Sequence, residues 1–299
     1  MTSPRLSGRI AEIFADAGCA GWVHAVNLGH PHLRCDYGSD TPVVLASVYK
    51  LPLLVSLCRL ADRGQVDMSE TIAVDPTEWA AGSTGLGLFR DPVQMSWRDL
   101  AVSMMTVSDN VAADVILQRI GLDVVRADLV SLGLTEMRIV GGMREVDDRL
   151  RSETGTSTVA EAFATLADPD VATEVSAYDA AYSSASTPRE CTTLLRAVWD
   201  DRAASAPSCA FIREVMRRQV LTARLASGFP YGHVAVAGKT GTLAAIRNEI
   251  GVVEFPNEHP VAVAVFTKSA RADPSLPGVD RAIGAVAHAV VSELRMPLD

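Results

Sequence analysis

Apolar positions change their period twice along this chain. Leu6, Ile10, Ile13 and Phe14 are spaced to share one face, which predicts a helix over 4–18, punctuated by Gly18 and Gly21. The stretches GWVHAVNLG (21–29) and LRCDYGSD (33–40) predict two strands joined by a turn at His30-Pro31-His32. Helical spacing returns over 47–61 with Leu51, Leu54, Val55, Leu57, Cys58 and Leu60. Pro52 is tolerated only near the first turn of a helix, so this helix should start close to Ser47. Residues 97–120 predict another helical region, closed by Gly121. From 123 to 225 the pattern stays mostly helical, interrupted at Gly141-Gly142, Asp168-Pro169 and Thr187-Pro188. Three runs rich in Val, Ile and Phe follow at 233–239, 247–255 and 260–268 and read as strands. An apolar-faced helix over 279–294 ends the pattern.

Strands therefore lie at both ends and helices in the middle. The arrangement this favours is an α/β (α+β) fold, with a sheet built from both termini and a helical region inserted. The expected division is a discontinuous sheet domain, 1–60 with 212–299, and an inserted all-helical domain, 61–211. No fixed-period repeat or low-complexity tract is present.

Composition narrows the function. Of 299 residues, 48% are apolar and 21% charged, a globular balance, and the net charge is −9. A nucleic-acid binder needs a dense basic face, so none is expected; Arg217-Arg218 reads as a solvated helix face. The N-terminal stretch is broken by Arg5, Arg9, Glu12 and Asp16, unlike a signal peptide, and no apolar run reaches the length of a membrane span. Five scattered cysteines without a CxxC pair fit reduced thiols. The expected location is the cytoplasm.

The chain carries twenty-four arginines and only three lysines, Lys50, Lys239 and Lys268. Lys50 closes Ser47-Val48-Tyr49-Lys50, an S-x-x-K. On a helix, positions i and i+3 share a face, so hydroxyl and amine can meet. A serine hydroxyl needs a base to become a nucleophile, and a buried amine can serve where a guanidinium cannot. At a helix start, Ser47 also gains backbone N–H groups for half of an oxyanion hole. Alone, this motif is weak. Ser108-Asp109-Asn110 stands at the start of an apolar helix, where a cap would also place such residues. Its chemical reading makes Ser108 a proton shuttle between two amines and Asn110 a side-chain ligand for substrate. Lys239-Thr240-Gly241-Thr242 ends a predicted strand, where a plain turn is the alternative. Lys239 would attract a substrate carboxylate, Thr240 and Thr242 would bind it, and Gly241 would let a ligand approach closely. The order S-x-x-K, S-D-N, K-T-G is far more specific than its parts.

These motifs, with SVYKLPLLVSLCRLADRG, MSWRDLAVSMMTVSDNVAADVILQRIG and GKTGTLAAIRNEIGVVEF around them, resemble the class A β-lactamase and penicillin-binding-protein superfamily over roughly residues 5–130 and 187–295. The resemblance implies an antiparallel sheet of about five strands flanked by helices, an all-helical domain, and a site in the cleft between them. It makes Ser47 the acylated nucleophile, Lys50 its base, Ser108 the shuttle, Asn110 a substrate ligand and Lys239-Thr240-Gly241 the opposite wall. No cofactor or metal is implied, and the expected partner is a small molecule bearing a carboxylate.

The chain departs from that pattern in one place. Class A enzymes carry a loop glutamate that activates the deacylating water, followed four residues on by an asparagine. No Glu-x-x-x-Asn lies between Asn110 and Lys239. Glu145 is the first substitute, ahead of Asp147, Asp148, Glu153 and Glu174. Asp114 stands where the family has an asparagine; a carboxylate there repels a second one, so a remodelled loop is expected. His30 and His32 read as a surface turn rather than a metal pair. Trp79 with GSTGLG (82–87) is a candidate cleft edge, and Arg247 either assists a carboxylate or joins an ion pair. The reading is a serine hydrolase forming an acyl-enzyme with β-lactams or related amides and esters. A D,D-peptidase or pathway esterase, and a non-catalytic ligand-binding module, are the alternatives.

Overall fold

A computed structural model describes residues 2–79, 82–168, 170 and 175–298. Glu174 and Pro169 lie outside the described residues. Helix α1 (Pro4–Asp16) starts where Ser3 accepts the Leu6 N–H and Pro4 takes the first helical position. Strands β1 (Cys19–Asn27) and β2 (Arg34–Tyr37) follow as an antiparallel pair. A two-residue strand β3 (Val43–Val44) leads through a 3-10 turn, Ala46–Tyr49, into α2 (Lys50–Asp62).

The middle of the chain is helical, with short strands that its periodicity did not announce. Strands β4 (Thr71–Val74) and β5 (Val93–Ser96) form a small antiparallel ribbon. The helical region expected over 97–120 is two helices, α3 (Trp97–Thr106) and α4 (Asn110–Ile120), the second starting at the Ser108-Asp109-Asn110 cap. Helices α5 (Leu122–Ser131), α6 (Met143–Thr154) and α7 (Val159–Ala167) come next. A bridge strand β6 (Ala185–Ser186) pairs with β3. The interruption at Thr187-Pro188 is a helix start: Thr187 caps α8 (Pro188–Trp199) by accepting the Glu190 N–H. After α9 (Ala206–Arg217) the chain enters β7 (Ala235–Leu243), β8 (Ile246–Glu254), β9 (Val261–Ser269) and α10 (Pro277–Leu294). Positions 60/61 and 211/212 fall inside α2 and α9, so neither expected boundary lies in a linker.

The main sheet is antiparallel with strand order β2-β1-β9-β8-β7, so both chain ends build it and β7 is an edge. Both faces are covered. Val261, Val263 and Val265 of β9 pack with Leu6, Ile10 and Phe14 of α1 and with Ile283, Val286 and Val290 of α10. The alternate residues Ala262, Ala264 and Phe266 join the other core, with α2, α3, α4, α8 and α9. Burial on both sides explains why these strands read as near-continuous apolar runs. Among the described residues no helix is long and apolar enough to cross a membrane.

Candidate active site

Three chain segments meet where β7, the start of α2 and the α3–α4 junction come together. Ser47 lies in the 3-10 turn and Lys50 begins α2, its N–H bonded to the Ser47 carbonyl. Side chains at i and i+3 eclipse in a 3-10 turn, so both stand on one face. Ala46 has φ 45, a left-handed conformation that a side chain disfavours by about 1 kcal/mol. Its neighbours hold the turn in place. Asn248 of β8 donates through Nδ2 to Val44 O at 2.8 Å and Leu45 O at 3.3 Å, and the Leu45 N–H bonds Ser184 O at 2.9 Å. A Cβ at Gly241 would come within 2.5 Å of Leu45 O. Gly241 thus lets the strand edge reach the nucleophile's turn, and the close approach it permits is backbone to backbone rather than ligand to backbone.

Lys50 is fully buried and donates three hydrogen bonds: to Ser108 O at 2.7 Å, Asn110 Oδ1 at 2.8 Å and Ser108 Oγ at 3.3 Å. Lys239, also fully buried, donates to Ser108 Oγ at 3.0 Å and Thr240 O at 2.9 Å. One hydroxyl therefore lies between two amines. Burial lowers Lys50 to about 7, against the pull of Asp109 and Asp114. Burial, and then Lys50 itself, hold Lys239 well below the ordinary lysine range. Among the described residues no hydrogen bond joins Ser47 Oγ to Lys50 Nζ; the three acceptors named above take all three ammonium protons. The expected direct contact is thus not made; Lys50 Nζ is directed at Ser108 and Asn110 instead.

The S-D-N motif divides its labour. Ser108 has φ 59 and breaks the helical run. Asp109 is the cap of α4, accepting the Ala112 N–H at 3.1 Å, and it also takes the Ser103 hydroxyl at 2.7 Å and the Leu86 N–H at 2.8 Å. Capping and chemistry thus belong to different residues of one motif. Asn110 receives Lys50 on its oxygen, leaving its NH2 to face elsewhere. Gly82 lies beside Asn110, while Trp79 stacks under the Arg144 guanidinium.

On the opposite wall, Thr240 is buried and Thr242 exposed. Arg224, which the sequence did not single out, donates to Thr242 Oγ1 at 2.8 Å, Gly241 O at 2.9 Å and Asn248 O at 2.8 Å, and pairs with Asp280 at 2.6 Å. Arg247 instead donates to carbonyls of Ala244, Ile246, Asp273 and Pro274, and among the described residues it forms no ion pair. Gln219 was missed as well; its Oε1 accepts both the Thr240 N–H at 2.9 Å and the Thr240 hydroxyl at 3.1 Å. No motif marks Arg224 or Gln219, because their role comes from the turns after α9 folding against the sheet edge.

The carboxylates on α6 have distinct positions. Glu145 is exposed and caps its own helix, accepting the Gly142 N–H at 2.9 Å. Asp148 pairs with Arg151, and Glu153 holds Ser176. Asp114 is buried and accepts the Met143 N–H at 2.7 Å and the Arg144 N–H at 3.1 Å, so a carboxylate braces the N-terminus of α6. Asp147 is buried with no hydrogen-bond partner among the described residues, and burial followed by the charge of Asp114 pushes it up to about 7. The two carboxyls are held differently: Asp114 is bonded by helix N–H groups although burial still raises its pKa above the ordinary value, and Asp147 has no such bonds. Nearby, the Tyr49 hydroxyl is buried without a partner.

Ser47 opens into a cleft lined by Tyr49, Met143, Val146, Ala177, Thr242 and Leu243 among others, and among the described residues no carboxylate lines it. His30 stands edge-on to His32 and His259, and among the described residues no group of His, Cys, Asp and Glu is arranged to hold a metal. The five cysteines are unpaired.

Comparison with known proteins places this geometry in a lineage. A model of the beta-lactamase enzyme family matches residues 5–294. The β-lactamase regulatory protein BlaB of Streptomyces cacaoi is 31% identical over 271 residues, 86% of this chain and 87% of its own length. In structure, the chain is similar to a β-lactamase from Sphaerobacter thermophilus, with TM-score 0.76, 24% identity and 95% of each chain covered. PBP-A superposes with TM-score 0.76 at 20% identity over 98% of each chain. An ancestral class A β-lactamase superposes equally well, at 21% identity over 96% of this chain and 99% of that one. The fold is that of the class A β-lactamases, and the chain belongs to the beta-lactamase enzyme family.

Proposed function

We propose that the protein is an active-site serine acyltransferring hydrolase whose acyl-enzyme is long-lived, reacting with β-lactams or related amides and esters that carry a carboxylate. Ser47 is the nucleophile. Lys50, with a pKa of about 7, is neutral in a substantial fraction of molecules at neutral pH, and in that form it releases its hydrogen bonds and takes the Ser47 proton. Ser108, between the two amines, returns a proton to the leaving group. Successive N–H groups of a strand point to opposite edges, so the Thr242 N–H leaves the sheet on the same open side as that of Thr240. It forms an oxyanion hole with the N–H of Ser47. Asn110 and Thr242 orient the substrate.

The single observation behind slow deacylation is the cleft itself: among the described residues, its lining beside Ser47 is largely apolar and includes no carboxylate, Glu145 standing behind Gly141. Glu145 is occupied in capping α6, and Asp147 keeps its proton up to about 7. Such a protein captures a lactam more readily than it turns one over, which also fits a ligand-sensing role like the regulatory function named for the Streptomyces cacaoi relative. Intact-mass analysis after exposure to penicillin G tests the reading. One covalent adduct is expected on the wild type and none on Ser47→Ala.

A further inference from the structure

The wall that should receive a substrate carboxylate is already occupied from within the protein. Strand β7 is a sheet edge, so its outward N–H groups have no strand to bond. At Thr240 both the outward N–H and the side-chain hydroxyl end on one acceptor, Gln219 Oε1, at 2.9 and 3.1 Å. Two donors converging on one sp2 oxygen is the geometry that one oxygen of a bound carboxylate would accept. Thr240 is only 2% exposed.

The amide is held in this orientation from behind. Gln219 Nε2 donates to Glu249 Oε1 at 2.7 Å, and Glu249 Oε2 accepts the Leu225 N–H at 2.7 Å. Turning the amide over would set its NH2 against the Thr240 N–H and its oxygen against the Glu249 carboxylate, losing both of those bonds. The other cation beside the wall, Arg224, is committed to Thr242, Asp280 and two carbonyls. Gln219 itself is half-buried on the turn after α9, so the solvent side of its chain leaves it a path out.

We propose that Gln219 is a specificity-determining residue that stands in for the substrate carboxylate on Thr240, so that carboxylate-bearing substrates acylate Ser47 only by displacing it, while uncharged substrates do not meet this barrier. The inference rests on Ser47 being the nucleophile of this cleft, and it refines the carboxylated substrate class proposed above. A carboxylate must compete with an internal amide for Thr240, and the competition costs it roughly the net worth of a hydrogen bond, about a tenfold factor in rate.

The test uses a matched pair of probes, penicillin G and its methyl ester, with second-order acylation followed by intact mass. Gln219→Ala removes the amide. Gln219→Asn keeps its polarity and shortens its reach by one carbon, which guards against a folding failure of the first variant. Both are expected to raise the ratio of penicillin G to methyl ester acylation by about tenfold, chiefly through the free acid. An unchanged or lowered ratio, with Ser47 still acylated, overturns the role of Gln219 alone. A wild type that neither lactam nor a fluorophosphonate acylates overturns the nucleophile assignment and this inference with it.

Discussion

Replacing Asp147 with asparagine should make the protein more stable, and more so as pH rises. The side chain is 8% exposed, accepts no hydrogen bond among the described residues, and lies near Asp114, which accepts two N–H groups at the start of α6. Burial first, then Asp114, raises it from 3.8 to about 7. In the unfolded chain it titrates near ~3.9. Between those values the native state binds a proton that the unfolded state has lost, so stability falls as pH rises. Its contribution is fully present below about 4, is lost through about 7, and is flat above. Three pKa units correspond to about 4 kcal/mol, and the remaining solvent contact and local relaxation reduce this to about 2–3 kcal/mol. Asparagine has nearly the same shape and no charge to bury. Urea unfolding of both proteins at pH 5, 6, 7 and 8.5 isolates the effect, because other titrations cancel in the difference. The variant should gain about 2 kcal/mol over the wild type between pH 5 and 8.5. A gain that does not change with pH, or a variant less stable at pH 8.5, would refute the buried-carboxyl argument.

Two further outcomes follow from the site. Acylation of Ser47 by a neutral ester should rise with pH through an apparent pKa near 7, since only neutral Lys50 accepts the proton, and Lys50→Arg should abolish it; a flat stopped-flow profile from pH 5.5 to 8.5 contradicts Lys50 as base. Gly241→Ala places a Cβ 2.5 Å from Leu45 O, a backbone atom that cannot swing away. It should cost about 2 kcal/mol in urea unfolding and slow acylation, because β7 must retreat from the Ser47 turn.

Which parts of this structure the sequence announces follows from the range of the interactions involved. The strands of the sheet and the helices on either side carry their own periodicity, so their existence and order are legible. Ser47, Lys50, Ser108 and Lys239 stand out because two of three lysines in an arginine-rich chain fall in motifs of recognisable order. The start of α4 is legible in the capping residues of Ser108-Asp109-Asn110, whereas the left-handed turn at Ser108 has no glycine or proline to mark it. The strands β3 and β6 are two residues each and form only by pairing with distant segments, β3 with β6 and Ala185 of β6 also with Arg138. Asp114 prompted the expectation of a remodelled loop, but the form of the remodelling, helix N–H groups around one carboxylate and a proton on Asp147, required the fold. Gln219 and Arg224 likewise act across distances that no local pattern records.

The lifetime of the adduct on Ser47 tests the central claim most directly. Wild-type protein is mixed with penicillin G, freed of excess, and followed by intact mass. The cleft, lined by no carboxylate among the described residues, predicts one penicilloyl group per chain, absent in Ser47→Ala, that persists for many times the period in which it forms. An adduct that never appears on folded protein, or one that clears as fast as it forms with steady release of hydrolysed penicillin, would contradict the account.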